Sequence, residues 1–479
     1  MCPKMFSKTV SIRIVLWSQL VLCFVLEAFC APTPKKIVIL VSENYSKSVA
    51  EAIAQLHKLP GFNDAYLVST AIDGNATADV GSADLAVCYV HTPVVLQRFS
   101  AELQRIVERG GHVYALGNTP EADSYGKQGI RFDPEVAAYF EHPSPDNLAN
   151  MVLMLLRRHL ESTYPVKPVV SFPENGIVSL RSGEVYANFE RYAQAERVGK
   201  RPLIGLYMFR YEAVTRQWGH MKSYADALDT AGFDVMPFFG HPLDRAIKDH
   251  CLDADGRSRL SVLLNFSSLP GASNERLQAA FSRMSVPVID AITINDDTAA
   301  WHASSLGIPL AARALSLARQ ELSGQIQPII AATTESVAPT GAAGYRVKYA
   351  PESRVRRLVG RVKAWSRLQS LANRDKKIAL IYYNGHPGKN NIGASYLNVL
   401  PKSLTAILKR MDEAKYDLGG QAPDSGAVFD DVMNGGRNIG TWAPAELDRL
   451  VRETHPVLVP VETYKKWFGQ LHPAFQKQV

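Results

Sequence analysis

The stretch Gly385-His386-Pro387-Gly388-Lys389-Asn390 holds the most chemistry per residue in this chain. It lies between an apolar run and a helix-forming segment. Backbone N–H groups at a strand-to-helix turn converge on anions. Lys389, with the backbone around Gly388, Asn391 and Gly393, is therefore expected to hold a carboxylate. His386 is a candidate axial metal ligand or proton acceptor, because neutral imidazole does both. The stretch is not a nucleotide-binding P-loop. Tyr383 stands at the first glycine position, and Asn390 replaces the Ser or Thr that would ligate magnesium.

Other candidates are scattered. His220, in Arg216-Gln217-Trp218-Gly219-His220, opens a helix after a strand and is a candidate proton carrier or metal ligand. Trp218 offers a face for a flat ring, although an aromatic at a helix start is more often core. His302, beside Trp301, is a further metal candidate. Glu212 is expected at the surface, paired with a metal or with Arg210. Asn265 and Asp290 fall at or beyond the ends of apolar runs, where open α/β sheets place ligands; turn and cap chemistry explains them equally well. Cys-x-x-Cys, His-Glu-x-x-His, Gly-x-Ser-x-Gly and Gly-x-Gly-x-x-Gly patterns are missing. Standard zinc, serine-hydrolase and dinucleotide chemistry are therefore not expected.

The elements that must position these residues alternate between strand and helix. Continuous apolar runs at 37–42, 85–90, 203–209 and 262–266 suit strands buried on both faces. Pro93 and Ser144-Pro145 open helices. The fold class is α/β, as several doubly wound Rossmann- or flavodoxin-like units joined by linkers. The expected order is a signal peptide over 1–30, an α/β domain over 31–163 and a linker over 164–201. A second α/β domain over 202–345, a basic linker helix over 346–376 and a third unit over 377–479 follow. The third unit is expected to contain strands at 377–384 and 457–461.

Composition narrows the class. The 479 residues are 46% hydrophobic and 21% charged, ordinary for globular domains. A mean hydropathy of -0.09 excludes a polytopic membrane protein. Lys4, Lys8 and Arg13 precede the mostly apolar run 14–26, and Ala28 and Cys30 suit a cleavage point before Ala31. The chain is expected to be exported, to a periplasm, with no stable membrane span after cleavage; a retained signal anchor is the alternative. Cys88 and Cys251 then remain, and both are expected as buried thiols. Residues 346–377 carry eleven Lys and Arg against Glu352 and Asp375. Apolar residues from Val355 to Leu368 recur there at helical spacing. Without an aromatic platform or groove-reading motif, no nucleic acid partner is expected.

The run Tyr382 to Val399 (YYNGHPGKNNIGASYLNV) resembles the CobN / magnesium-chelatase-H family, the large subunits of cobalt and magnesium chelatases. That family carries Pro-x-Lys-x-Asn-(Ile/Val)-Gly followed by Tyr-Leu-Asn. Arg354 to Lys377, Gly435 to Leu450 and Val461 to Trp467 are similar to its neighbouring blocks, and the resemblance runs over about 202–479. It implies a tetrapyrrole substrate, a divalent metal (Co, Mg or Fe) inserted or removed, and ATP hydrolysed only by separate AAA+ subunits. The family's His-x-Gly-x-His-Gly-type segment lies downstream of these blocks, so the remaining half of the large subunit is an expected partner. A non-catalytic exported binding or scaffold module of the same family is the alternative.

Overall fold

The structure, a computed structural model, describes residues 33–72, 75–76, 79–90, 93–337, 344–381, 383, 400–420, 424–435, 439 and 443–478. The export signal and nearly all of the 382–399 motif lie outside these residues. The chain divides into two compact units, residues 1–366 and residues 367–479.

The first unit contains two sheets. One joins β1 (Lys35–Val41), β2 (Tyr66–Ile72), β3 (Asn75–Ala76), β4 (Leu85–Tyr89), β5 (His112–Leu116) and β6 (Ile130–Arg131), in the order β3-β2-β1-β4-β5-β6. All neighbours are parallel except β3. Along β1 the side chains alternate between two cores. Ile37, Ile39 and Val41 meet α1 (Ser46–Leu56) and the helix Pro145–His159. Val38 and Leu40 meet the helix Pro93–Glu108 on the opposite face. A strand buried on both sides must be apolar throughout, and IVILV is. The Ser144 hydroxyl caps the helix Pro145–His159 by accepting from Asn147 N at 3.2 Å.

The second sheet joins β7 (Gly176–Val178), β8 (Val185–Tyr186), β9 (Leu203–Met208), β10 (Asp234–Phe239), β11 (Val262–Asn265), β12 (Val288–Thr293), β13 (Ile326–Val337) and β14 (Tyr345–Tyr349). Its order is β14-β13-β12-β11-β9-β10-β7-β8. Strands β9 to β13 are mutually parallel, and β14, β7 and β8 add antiparallel edges. Reduced to their parallel strands, both sheets follow the flavodoxin-like order 2-1-3-4-5. Ile204, Leu206 and Met208 bury against α2 (Gly219–Thr230) and α3 (Glu352–Ser370). Leu203 and Tyr207 bury against the helix Asn274–Met284. Gly205 lies on that second face, where a Cβ would come within 2.6 Å of Leu260 Cδ1.

Several expected segments take other roles. Residues 164–201, expected as a linker, supply β7, β8 and the helix Phe189–Glu196. The expected basic linker helix begins later, because 345–349 is the edge strand β14. Its apolar stripe, Val355, Leu358, Val359 and Val362, is part of the second lobe's core. Cys88 and Cys251 are free and buried, and burial raises both thiols above their ordinary range.

The second unit is helical among its described residues: Leu400–Glu413, Ser425–Asn434, Pro444–Glu453 and Val461–Gly469. Leu404, Val428 and Met433 form a small core there. The strands expected at 377–384 and 457–461 are not formed among the described residues. Val457 is 88% exposed. An apolar β-branched run becomes a strand only where a neighbour accepts its backbone hydrogen bonds, and the described residues of this unit offer none.

If α3 is structural, its buried side should dominate its energetics. Leu358→Ala should cost about 2–5 kcal/mol in urea unfolding, whereas Arg357→Ala on the exposed side should stay within about 0.5 kcal/mol.

Candidate functional site

Strand β9 is followed in sequence by β10 on one side, while β11 lies on its other side. The chain therefore reverses direction across the sheet between β9 and β11. Such a switch point leaves a crevice at the carboxyl ends, where doubly wound sheets bind ligands. Here the crevice is covered by the first lobe. Gln217 Nε2 donates to Asn44 O at 2.5 Å, and Lys47 Nζ donates to Arg216 O at 3.1 Å. Arg346 on β14 forms an ion pair with Glu43, just beyond the end of β1.

The wall of the crevice is built around one ion pair. Glu212 lies on the short helix Arg210–Val214 that follows β9. It is fully buried, and its Oε2 accepts from Phe209 N at 3.0 Å. Its other oxygen accepts from Lys348 Nζ on β14. Lys348 also donates to the Tyr211 hydroxyl at 3.1 Å. Burial disfavours the ammonium, but the Glu212 carboxylate and then Tyr211 outweigh that penalty and hold Lys348 above the usual lysine value. A buried charge needs such a partner.

Lys348 lines two cavities. One, of about 150 Å³, is lined by residues that include Asn44, Phe209, Phe266, Asp290 and Thr293. Asp290 lies within β12 and is only 5% exposed, and its Oδ2 has no hydrogen-bond partner among the described residues. Burial first, and the Glu321 charge second, push its carboxyl up to about 8. Asp290 is therefore a neutral acid near pH 7. Thr293 Oγ1 is likewise buried without a partner. Asn265, at the end of β11, serves structure: its amide donates to Gln325 Oε1 at 2.7 Å, and its Oδ1 accepts from Ser267 N at 2.9 Å.

The second cavity, of about 280 Å³, is lined by residues that include Lys47, Gln217, His220 and Ser223. His220 is buried on α2, and neither ring nitrogen has a partner among the described residues. Its ring lies edge-on to Phe266 at 5.7 Å. Burial, then the Lys348 charge, hold it well below the ordinary histidine value, so it is neutral.

The other sequence candidates do not join this crevice. Trp218 is 8% exposed and belongs to the second lobe's core. His302 is exposed on the helix Thr298–Ala303, with its ring 4.7 Å from that of Trp301. Among the described residues, no group of three or more His, Cys, Asp or Glu could hold a metal. His386, Gly388, Lys389, Asn391 and Gly393 lie outside the described residues. Sequence reasoning missed Lys348, which sits inside a basic run, and placed Glu212 at the surface. The two are 136 residues apart, and no local pattern joins them.

The fold and crevice define a tandem doubly wound α/β protein whose first lobe covers the switch point of its second. The chain belongs to the CobN/Magnesium Chelatase family, whose model matches residues 137–479. It is 25% identical over 307 residues to a magnesium-chelatase H protein of Chlorobaculum parvum, covering 59% of this chain and 23% of that protein. It is 22% identical over 360 residues to an aerobic cobaltochelatase CobN protein of Sinorhizobium sp, covering 71% and 27%. The catalytic subunit of cobaltochelatase from Mycobacterium tuberculosis shares the fold, with a TM-score of 0.59 at 16% identity over 93% of this chain and 35% of that one. The chain thus spans about a quarter of the length of these curated relatives. No helix among the described residues is long and apolar enough to cross a membrane.

Lys348→Met should cost about 3–5 kcal/mol in denaturant unfolding, because it strands the Glu212 charge. Adding Glu212→Leu should recover most of that loss. The raised Asp290 value sets a pH window. The native state keeps a proton that the unfolded chain releases, so Asp290 lowers stability as pH rises from the ordinary carboxylate range through about 8. Asp290→Asn should therefore lose less stability than the native chain between pH 5 and pH 8, as read from urea midpoints.

Proposed function

We propose that this chain handles a tetrapyrrole for insertion or removal of a divalent metal, with ATP hydrolysed by separate AAA+ partners. The observation that carries this reading is the family match over residues 137–479, which takes in the Tyr382 to Val399 motif. The names of the relatives, a magnesium chelatase and a cobaltochelatase, support the same chemistry. The degenerate P-loop at Tyr383 to Asn390 supports ATP hydrolysis elsewhere. Metal exchange requires removal of pyrrole protons and loss of water from the metal.

Within this reading the macrocycle does not enter the crevice of the first unit. Its cavities, about 150 and 280 Å³, fall below the roughly 300–1,000 Å³ of pockets that enclose drug-sized ligands. Within this reading the macrocycle's carboxylates meet Lys389 and the backbone near Gly388, Asn391 and Gly393. His386 would supply an imidazole to bind the metal or accept a proton. The basic n-region and apolar run before Ala31 support action outside the cytoplasm.

Titration with haem, protoporphyrin and a cobalamin precursor tests the reading. A saturable Soret shift at micromolar ligand is expected with at least one ring, weakened by Lys389→Ala. No shift with any of them would remove the support for tetrapyrrole binding. Binding without metal exchange, even with AAA+ subunits and ATP present, would identify a binding module instead.

A further inference from the structure

The crevice between the lobes contains polar groups that the proposed tetrapyrrole chemistry does not use. Asp290 Oδ2 and Thr293 Oγ1 are buried, unpartnered and part of one cavity wall. Both ring nitrogens of His220 are buried and unpartnered in the adjoining cavity. Buried polar atoms are almost always hydrogen-bonded, so a cluster of exceptions on cavity walls signals a missing partner.

The charge state decides what that partner is. The cations that line the two cavities are already paired: Lys348 with Glu212, and Lys47 with Glu51. The unpaired groups are a carboxylic acid, a hydroxyl and an imidazole, each neutral near pH 7. An anionic ligand would find no free cation on these walls, and a cationic one would meet a carboxyl that burial holds toward its neutral form. An uncharged ligand with hydroxyl or amide groups would find donors and acceptors on every wall, including Ser267, Ser268 and Asn44. The rings of Phe209, Tyr211 and Phe266 supply the apolar part of the lining. A cavity of about 150 Å³ can hold benzene, so a ligand of roughly six non-hydrogen atoms fits.

A larger concavity, of about 330 Å³, makes a contrast. Its walls carry Arg181, Glu196, Arg201, Lys222, Asp226 and Asp229, which pair with one another. None of the buried unpartnered polar atoms among the described residues lies on its walls.

We propose that the switch-point crevice at the ends of β9, β11 and β12 binds a small uncharged polyhydroxy compound through Asp290 and Thr293. Asn44 of the first lobe lines the same cavity, so an occupant touches both lobes. This inference goes beyond the tetrapyrrole reading and does not rest on it.

The charged groups facing Asp290 are Glu321, which opposes its ionisation, and the Lys348–Glu212 pair across the cavity. His220 stays neutral in the adjoining cavity. Binding that uses the protonated acid should weaken as pH passes about 8.

Saturation-transfer NMR on the full chain, with ethylene glycol, glycerol and erythritol as probes and acetate and methylammonium as comparators, tests the proposal. At least one uncharged probe should bind saturably, with affinity falling above pH 8. Thr293→Val, which keeps shape and removes the hydroxyl, should weaken it roughly tenfold. Asp290→Asn should retain binding and abolish the pH dependence. Circular dichroism checks that both variants fold, and either one alone suffices. Lack of saturable binding by all three uncharged probes overturns the proposal. So does binding confined to the charged comparators, or affinity and pH profile unchanged in both variants. None of these outcomes bears on the Soret titration, so the two readings fail separately.

Discussion

A carboxylate and an ammonium meet in the interior of the first unit, and the architecture around them follows from that fact. Glu212 is held just past the end of β9, and Lys348 sits on the edge strand β14. Their bond ties the centre of the second sheet's carboxyl edge to its margin. Separating the two charges would leave each without its countercharge, at a cost of several kcal/mol. The same strand carries Arg346, which reaches Glu43 beyond β1. Edge strand, switch-point loop and first lobe are thus held in one arrangement.

Both lobes use the parallel order 2-1-3-4-5, which forces a crevice at the carboxyl edge of each sheet. The first lobe closes over the second lobe's crevice. What remains are small cavities with neutral polar walls, suited to a compact ligand rather than a macrocycle. The tetrapyrrole reading rests on the family match and the Tyr382 to Val399 motif, not on this crevice. The first unit provides two packed α/β lobes with a separate crevice between them.

The central strands were legible because a strand covered on both faces has no polar position. The runs at 37–42, 85–90, 203–209 and 262–266 became β1, β4, β9 and β11. The Ser144-Pro145 cap was legible from local chemistry alone. Strands β7 and β8 were hidden because two or three residues carry no period, and only the pairing of β7 with β10 and of β8 with β7 makes them strands. Strand β14 was hidden for the opposite reason: Arg346 and Lys348 read as part of a basic run, as charges on an edge strand do. The runs at 377–384 and 457–461 had strand composition, but no described neighbour pairs with them. His220 was found by its place after a strand, whereas Glu212 and Lys348 depend on a contact that no sequence spacing encodes.

One buried pair is held to fasten the crevice walls and the covering lobe together. Native-state amide exchange of Lys348→Met against the native chain reads this directly. Protection should fall in β14 and also in α1, whose N-terminal end rests on the crevice, with β4 and β5 unchanged. Loss confined to β14, with α1 as protected as before, would contradict that role for the pair.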